Sequence, residues 1–169
     1  MKFIDVSAVH SDALSLKTLL DQALARTIAV FTEYNVPLPA RQYWMMGPSS
    51  VDGEQLCVSL TQMYLGLPGD EAHIPQRGNA ARSAVLNIAV SRDVPVVSSN
   101  GKPPTPEEMT MAANISAVDS WVLLELTRRL DMWDPDASAY GMGVIATIEA
   151  PVQEGGFSTV NMTVTLVIP

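Results

Sequence analysis

Phe157-Ser158-Thr159-Val160-Asn161-Met162-Thr163-Val164-Thr165-Leu166-Val167-Ile168 is the stretch that decides the fold. Val160, Met162, Val164, Leu166 and Ile168 alternate with Thr159, Asn161, Thr163 and Thr165. Successive side chains of a strand point to opposite faces. This period of two therefore predicts a strand with one apolar face turned to a core and one hydroxyl- and amide-bearing face turned away. Working back from it, Glu154-Gly155-Gly156 supplies a turn, and residues 141–150 place Met142, Val144, Ala146 and Ile148 on one face of a preceding strand. Residues 81–92 repeat the alternation, with Ala84, Leu86, Ile88 and Val90 set against Ser83, Asn87 and Ser91. Glu54 to about Leu65 reads as a long strand with Leu56, Val58 and Leu60 on one face. Residues 41–46, Arg41-Gln42-Tyr43-Trp44-Met45-Met46, read as a short aromatic-rich one.

Two segments change period. In residues 11–34, Leu16, Leu20, Ala23, Leu24, Ile28, Phe31 and Tyr34 recur at helical spacing behind Ser11 as N-cap, and Pro37-Leu38-Pro39 forbids continuation. Thr105-Pro106-Glu107-Glu108 is a capping box with proline at the first helical position, and the helix it opens should run to about Leu130. That helix is apolar around most of its girth, through Met109, Ala113, Trp121, Leu123, Leu124, Leu126 and Leu130. Such a helix is covered on more than one side: by the sheet, and by the first helix or a neighbouring subunit. Loops fall at 66–80, 93–104 and 131–140. The order is helix, three strands, helix, two strands, with short connections. Short connections favour antiparallel neighbours. The expectation is a single α+β domain over residues 1–169, with an antiparallel sheet of four to five strands and both helices on one face.

Composition bounds the function. The 169 residues are 47% hydrophobic and 17% charged, which excludes global disorder and leaves less charge than the roughly 25% usual in soluble domains. Net charge is −8, and residues 86–169 hold 4 basic against 10 acidic residues, so there is no basic footprint for gripping phosphates. The single cysteine, Cys57, excludes an internal disulfide and a cysteine-rich metal site, and its strand position reads as a buried inert thiol. No apolar run reaches the ~18 residues of a membrane span, and the first residues lack the pattern of a signal peptide.

Residues that could carry chemistry are few. His10 and His73 stand in no motif, and His73, beside Asp70 and Glu71 in a Pro/Gly loop, reads as a solvent or interface residue. Asp131, Asp134 and Asp136 lack the glycine and closing glutamate of a calcium loop; with a histidine they would make a small metal-assisted site, the enzymatic alternative. The expectation is no enzyme and no cofactor. Aromatic and large apolar residues at element ends and in the long loops are more telling. Trp44, Met46, Tyr64, Leu65, Leu67, Trp133 and Tyr140, with His73 and Arg77, are the candidate subunit or partner interface.

Several segments carry a resemblance. They are Arg41-Gln42-Tyr43-Trp44 with Gly47-Pro48 and Glu54-Gln55-Leu56; Gln62-Met63-Tyr64-Leu65-Gly66-Leu67-Pro68-Gly69-Asp70-Glu71; and Pro75-Gln76-Arg77. Later come Ala117-Val118-Asp119 with Trp121, Leu130-Asp131-Met132-Trp133-Asp134-Pro135, Gly143-Val144-Ile145-Ala146-Thr147, Glu154-Gly155-Gly156-Phe157 and Val167-Ile168-Pro169. Over about residues 35–169 the chain resembles tail terminator proteins of long-tailed bacteriophages infecting actinobacteria. The resemblance implies a virion protein forming a hexameric ring on the head-proximal end of the tail tube. Such a ring stops tube polymerisation, contacts the tail tube protein and the head connector protein, and lets DNA pass through its lumen without specific binding. It implies a small antiparallel sheet with two helices, and no catalytic residues. Another head–tail connector or tail-completion protein, or a small protein-binding module, are the alternatives. A ring needs heterologous contacts that close, so each subunit must offer two different patches. Its lumen is expected to carry Asp or Glu and few of the ten basic residues.

Overall fold

The computed structural model describes residues 11–69, 82–129 and 144–168. Helix α1 (Ser11–Glu33) buries Leu20, Ala23, Val30 and Phe31, with Leu16, Leu24, Ile28 and Tyr34 packed partly against the same core. It ends in a Schellman motif. Asn35 takes the left-handed conformation (φ 54°), Val36 N–H donates to the Phe31 carbonyl at 2.9 Å, and Asn35 N–H donates to that of Thr32 at 3.0 Å. Helix α2 (Pro106–Thr127) opens on the expected capping box: Glu108 N–H donates to Thr105 Oγ1 at 3.3 Å and Thr105 N–H to Glu108 Oε2 at 2.8 Å.

Among the described residues six strands form one sheet: β1 (Arg41–Met46), β2 (Gln55–Leu65), β3 (Arg82–Asp93), β4 (Ile145–Ile148), β5 (Val152–Glu154) and β6 (Phe157–Ile168). Their order is β1-β2-β3-β6-β4, with β5 also paired to β6. The centre is the antiparallel β3–β6 ladder, from Arg82↔Ile168 to Asp93↔Phe157. Leu56, Val58, Leu60, Ala84, Leu86, Ile88, Val90, Val160, Met162, Val164 and Leu166 are all buried on the face that the helices cover. Helix α1 lies against β1 and β2, and α2 against β3, β4 and β6.

Two expectations need correction. The sheet is mixed, because β1 runs parallel to β2, with Arg41 opposite Gln55 and Met46 opposite Leu60. A six-residue strand spans about 20 Å, and residues 47–54 can reach back about 26 Å when extended, so a loop usually read as a hairpin connection just suffices for a parallel return. Gly47 (φ 88°) makes the bend, and Gln55 Nε2 donates to the Ser50 carbonyl at 2.6 Å to hold the returning chain. The second correction is β5, a sixth strand where only the approach to a turn was expected. Between Ile148↔Met162 and Val152↔Thr159, β4–β5 advances one residue more than β6, a bulge beside Pro151. Gly155 (φ 59°) and Gly156 (φ 87°) then close a two-residue type I′ turn.

Candidate interaction surfaces

The outer face of α2 is unusual for a helix facing water. Residues 106–111 are exposed throughout. Farther along, Met111, Ile115, Val118, Trp121 and Leu124 remain two-fifths to two-thirds exposed while Ala112, Ser116, Val122, Leu123 and Leu126 are buried. From Met109 to Leu124 the only charged residue is Asp119, and it is buried against Arg92. Polar groups pin the helix beneath this face. Ser116 Oγ and Ser158 Oγ share a hydrogen bond of 2.7 Å, and Arg92 Nε and Nη2 donate to Asp119 at 2.9 Å each. At its far end the Trp121 ring meets Tyr34 edge-on, with centroids 4.6 Å apart. Tyr34 Oη donates to buried Glu125 at 3.5 Å, and the Arg129 guanidinium sits 5.8 Å from the Tyr34 ring centre. Arg129 also pairs with Glu33, which holds the Glu33 carboxyl below its ordinary range. Sequence reasoning found the girth of α2 apolar. It did not single out Met111, Ile115 and Val118, whose four- and three-residue spacing is the signal that would have shown the row.

A second apolar cluster sits where β1 and β2 end. Met46, Met63, Leu65 and Leu67 are exposed, and Tyr64 Oη donates to the Leu67 carbonyl at 3.2 Å, fixing the turn after β2. A register shift between Leu60 and Gln62 turns Met63 and Leu65 to the helix side of the sheet, where both stay about half exposed. Trp44, half-buried, is bonded within the chain. Its Nε1 donates to Asp21 Oδ1 at 2.7 Å and Lys17 lies 5.9 Å from its ring centre, so it ties β1 to α1. Lys17 and Trp44 together hold the Asp21 carboxyl below its ordinary range. Of the candidate interface residues, Tyr64 is bonded to the Leu67 backbone, Leu65 lies next to it on the other face of β2, and Met46 ends β1 opposite Leu60. His73, Arg77, Trp133 and Tyr140 lie outside the described residues, as do His10, Asp131, Asp134 and Asp136.

The sheet face away from the helices is mostly polar; its charged groups include Arg41 of β1, ion-paired to Asp52 at one edge, and Asp93 at one end. Ser59, Asn87, Ser91, Thr159, Asn161, Thr163 and Thr165 share it, by cross-strand register, with Cys57 and Ala89. Ser91 and Thr159 hydroxyls share a hydrogen bond of 2.9 Å, and Asn87 Nδ2 donates to Asn161 Oδ1 at 3.5 Å. No lysine or arginine of β2 to β6 points to this face; the two in these strands, Arg82 and Arg92, belong to the helix-side rows. Toward β1, Cys57 is fully buried, and burial pushes its thiol pKa up. Tyr43 Oη donates to Gln55 Oε1 at 3.1 Å beside it.

Among the described residues no three His, Cys, Asp or Glu side chains converge as metal ligands, and no helix is long and apolar enough to cross a membrane. Comparison with known protein families and with curated proteins finds no family model and no curated protein that matches this chain.

Proposed function

We propose that this chain is a structural subunit of a phage virion. In this reading its copies form a hexameric ring that caps the head-proximal end of the tail tube, stops tube polymerisation and joins the tail to the head connector, with DNA passing through the lumen. The resemblance in residues 35–169 suggests the role. One structural observation carries it physically: the uncharged, apolar outer face of α2, a surface that water disfavours and a neighbouring chain would cover.

The polar sheet face supports the same reading. A conduit for a polyanion should offer no cations to its phosphates. The half-exposed Thr159, Asn161, Thr163 and Thr165 of β6 meet that requirement, the Arg41 at the β1 edge is neutralised by Asp52, and the net charge of −8 adds repulsion.

Electron microscopy of the protein with its tail tube tests the proposal. The expected result is end-on views of a six-fold ring at one end of the tube. A protein that stays monomeric by light scattering, both alone and with tail tube protein, would overturn it. The ring is expected to release duplex DNA freely at ~150 mM salt, and tight retention there would remove the conduit role.

A further inference from the structure

We infer that the outer face of α2 docks on a second copy of this chain, against the sheet end that carries Met46, Met63, Leu65 and Leu67. The inference rests on the ring reading above and names the two surfaces that would close it.

Position argues first. The Ser116–Ser158 and Asp119–Arg92 bonds place the middle of α2 at the end of the sheet where Gln55 pairs with Ser91, and residues 106–111 stand free of the core beside it. Met63 and Leu65 pair with Ala84 and Arg82 at the opposite end. About ten residues of strand, roughly 30 Å, separate the two ends. Within one chain neither cluster can cover the other. Between two copies set head to tail, each can. A contact between two different patches leaves one of each open on the pair, so it propagates until it closes, as a ring requires. Packing α2 against α2 of another copy would stop at a dimer and leave the methionine end in water.

Area and charge argue next. Five large side chains at these exposures leave on the order of 400 Å² of hydrocarbon in water. That matches the apolar part, a little over half, of the roughly 800 Å² that each partner contributes to a standard interface. Interface centres are depleted in charge, and the exposed residues from Met109 to Leu124 have none. The charges lie at the two ends of the row, Glu107 and Glu108 at one and Arg128 at the other, where an interface has its polar rim. Trp121, braced edge-on by Tyr34, is a pre-set aromatic anchor, and Met46 and Met63 are unbranched side chains able to shape themselves around it.

Two double variants test this, Met111→Glu/Ile115→Glu and Met63→Glu/Leu65→Glu. All four positions are exposed, so each variant should keep the parent chain's circular dichroism spectrum and still melt cooperatively. Size is read by light scattering and native mass spectrometry, alone and on tail tubes. The parent chain should assemble and each variant alone should lose every species above the monomer. Mixed one to one, the variants retain a single intact contact and should yield a heterodimer and nothing larger. If either variant assembles like the parent, the surfaces are wrong while the ring stands. If the α2 variant is monomeric and the mixture gives no heterodimer, head-to-tail docking is wrong. A parent chain that never assembles sinks the ring reading itself.

Discussion

Arg92 and Asp119 meet as a two-pronged ion pair under α2, where Nε donates to Oδ2 and Nη2 to Oδ1, both at 2.9 Å, and Nη2 also donates to the Pro37 carbonyl at 2.6 Å. Three segments are thereby joined: β3, α2 and the link between α1 and β1. Both side chains are almost fully enclosed. In such a place the pair itself gains little over apolar packing, but either member alone is an uncompensated buried charge.

Removing one partner, by Asp119→Ala or Arg92→Ala, should therefore cost about 3–5 kcal/mol in chemical denaturation. Replacing both, as Arg92→Met/Asp119→Leu, should recover most of that loss. A double variant as unstable as the singles would show that the Pro37 contact, and not charge compensation, is what matters.

Thr105→Ala should lower stability by about 1 kcal/mol, a melting shift of roughly 2–4 °C, because the Glu108 N–H loses its cap. Thr105→Ser keeps the oxygen and should leave the melting temperature nearly unchanged. Equal losses from both variants would mean that the threonine methyl, rather than the capping oxygen, contributes.

Cys57 should resist thiol reagents in the native protein and react fully once the chain is unfolded. Burial both blocks access and raises the thiol pKa, which lowers the thiolate fraction available for attack. Rapid native labelling would show that the cover from β1 and the residue 47–54 loop opens readily.

Glu33 and Asp21 give the pH dependence a sign. Each is held below its ordinary value, 4.5 and 3.8, by a cationic neighbour: Arg129 for Glu33, and Lys17, with the Trp44 indole, for Asp21. The unfolded chain thus takes up protons before the folded one does. Their stabilisation is complete above those ordinary values and is lost as pH falls through the depressed ones. The urea midpoint should drop between about pH 6 and about pH 3, and Glu33→Gln should reduce the drop. Both groups are at the surface, so the effect is small and should shrink with salt. An unchanged drop in the variant would place the acid sensitivity elsewhere.

Much of the fold was legible because it is written locally. Alternation in β6 and β3 and the capping box of α2 depend on residues two to four positions apart, and their expected faces match the buried ones. The parallel pairing of β1 was not legible. An eight-residue connection permits either a hairpin or a return, and what holds the return is Arg41 bonding Asp52 and Gln55 bonding Ser50, contacts no local pattern announces. The tie between Trp44 and α1 was not legible for a similar reason. The partner of Trp44, Asp21, lies 23 positions away, and only the packing of α1 on β1 unites them.

By itself the sequence determined the class of the fold, the strand faces, the start of α2 and the shortage of charge, because each follows from period, capping chemistry or composition. Only the tertiary structure decided which apolar residues stay outside. A helix that is apolar all round has no preferred face of its own. Burial of one side against β3 and β6 is what turns Met111, Ile115, Val118, Trp121 and Leu124 into a surface.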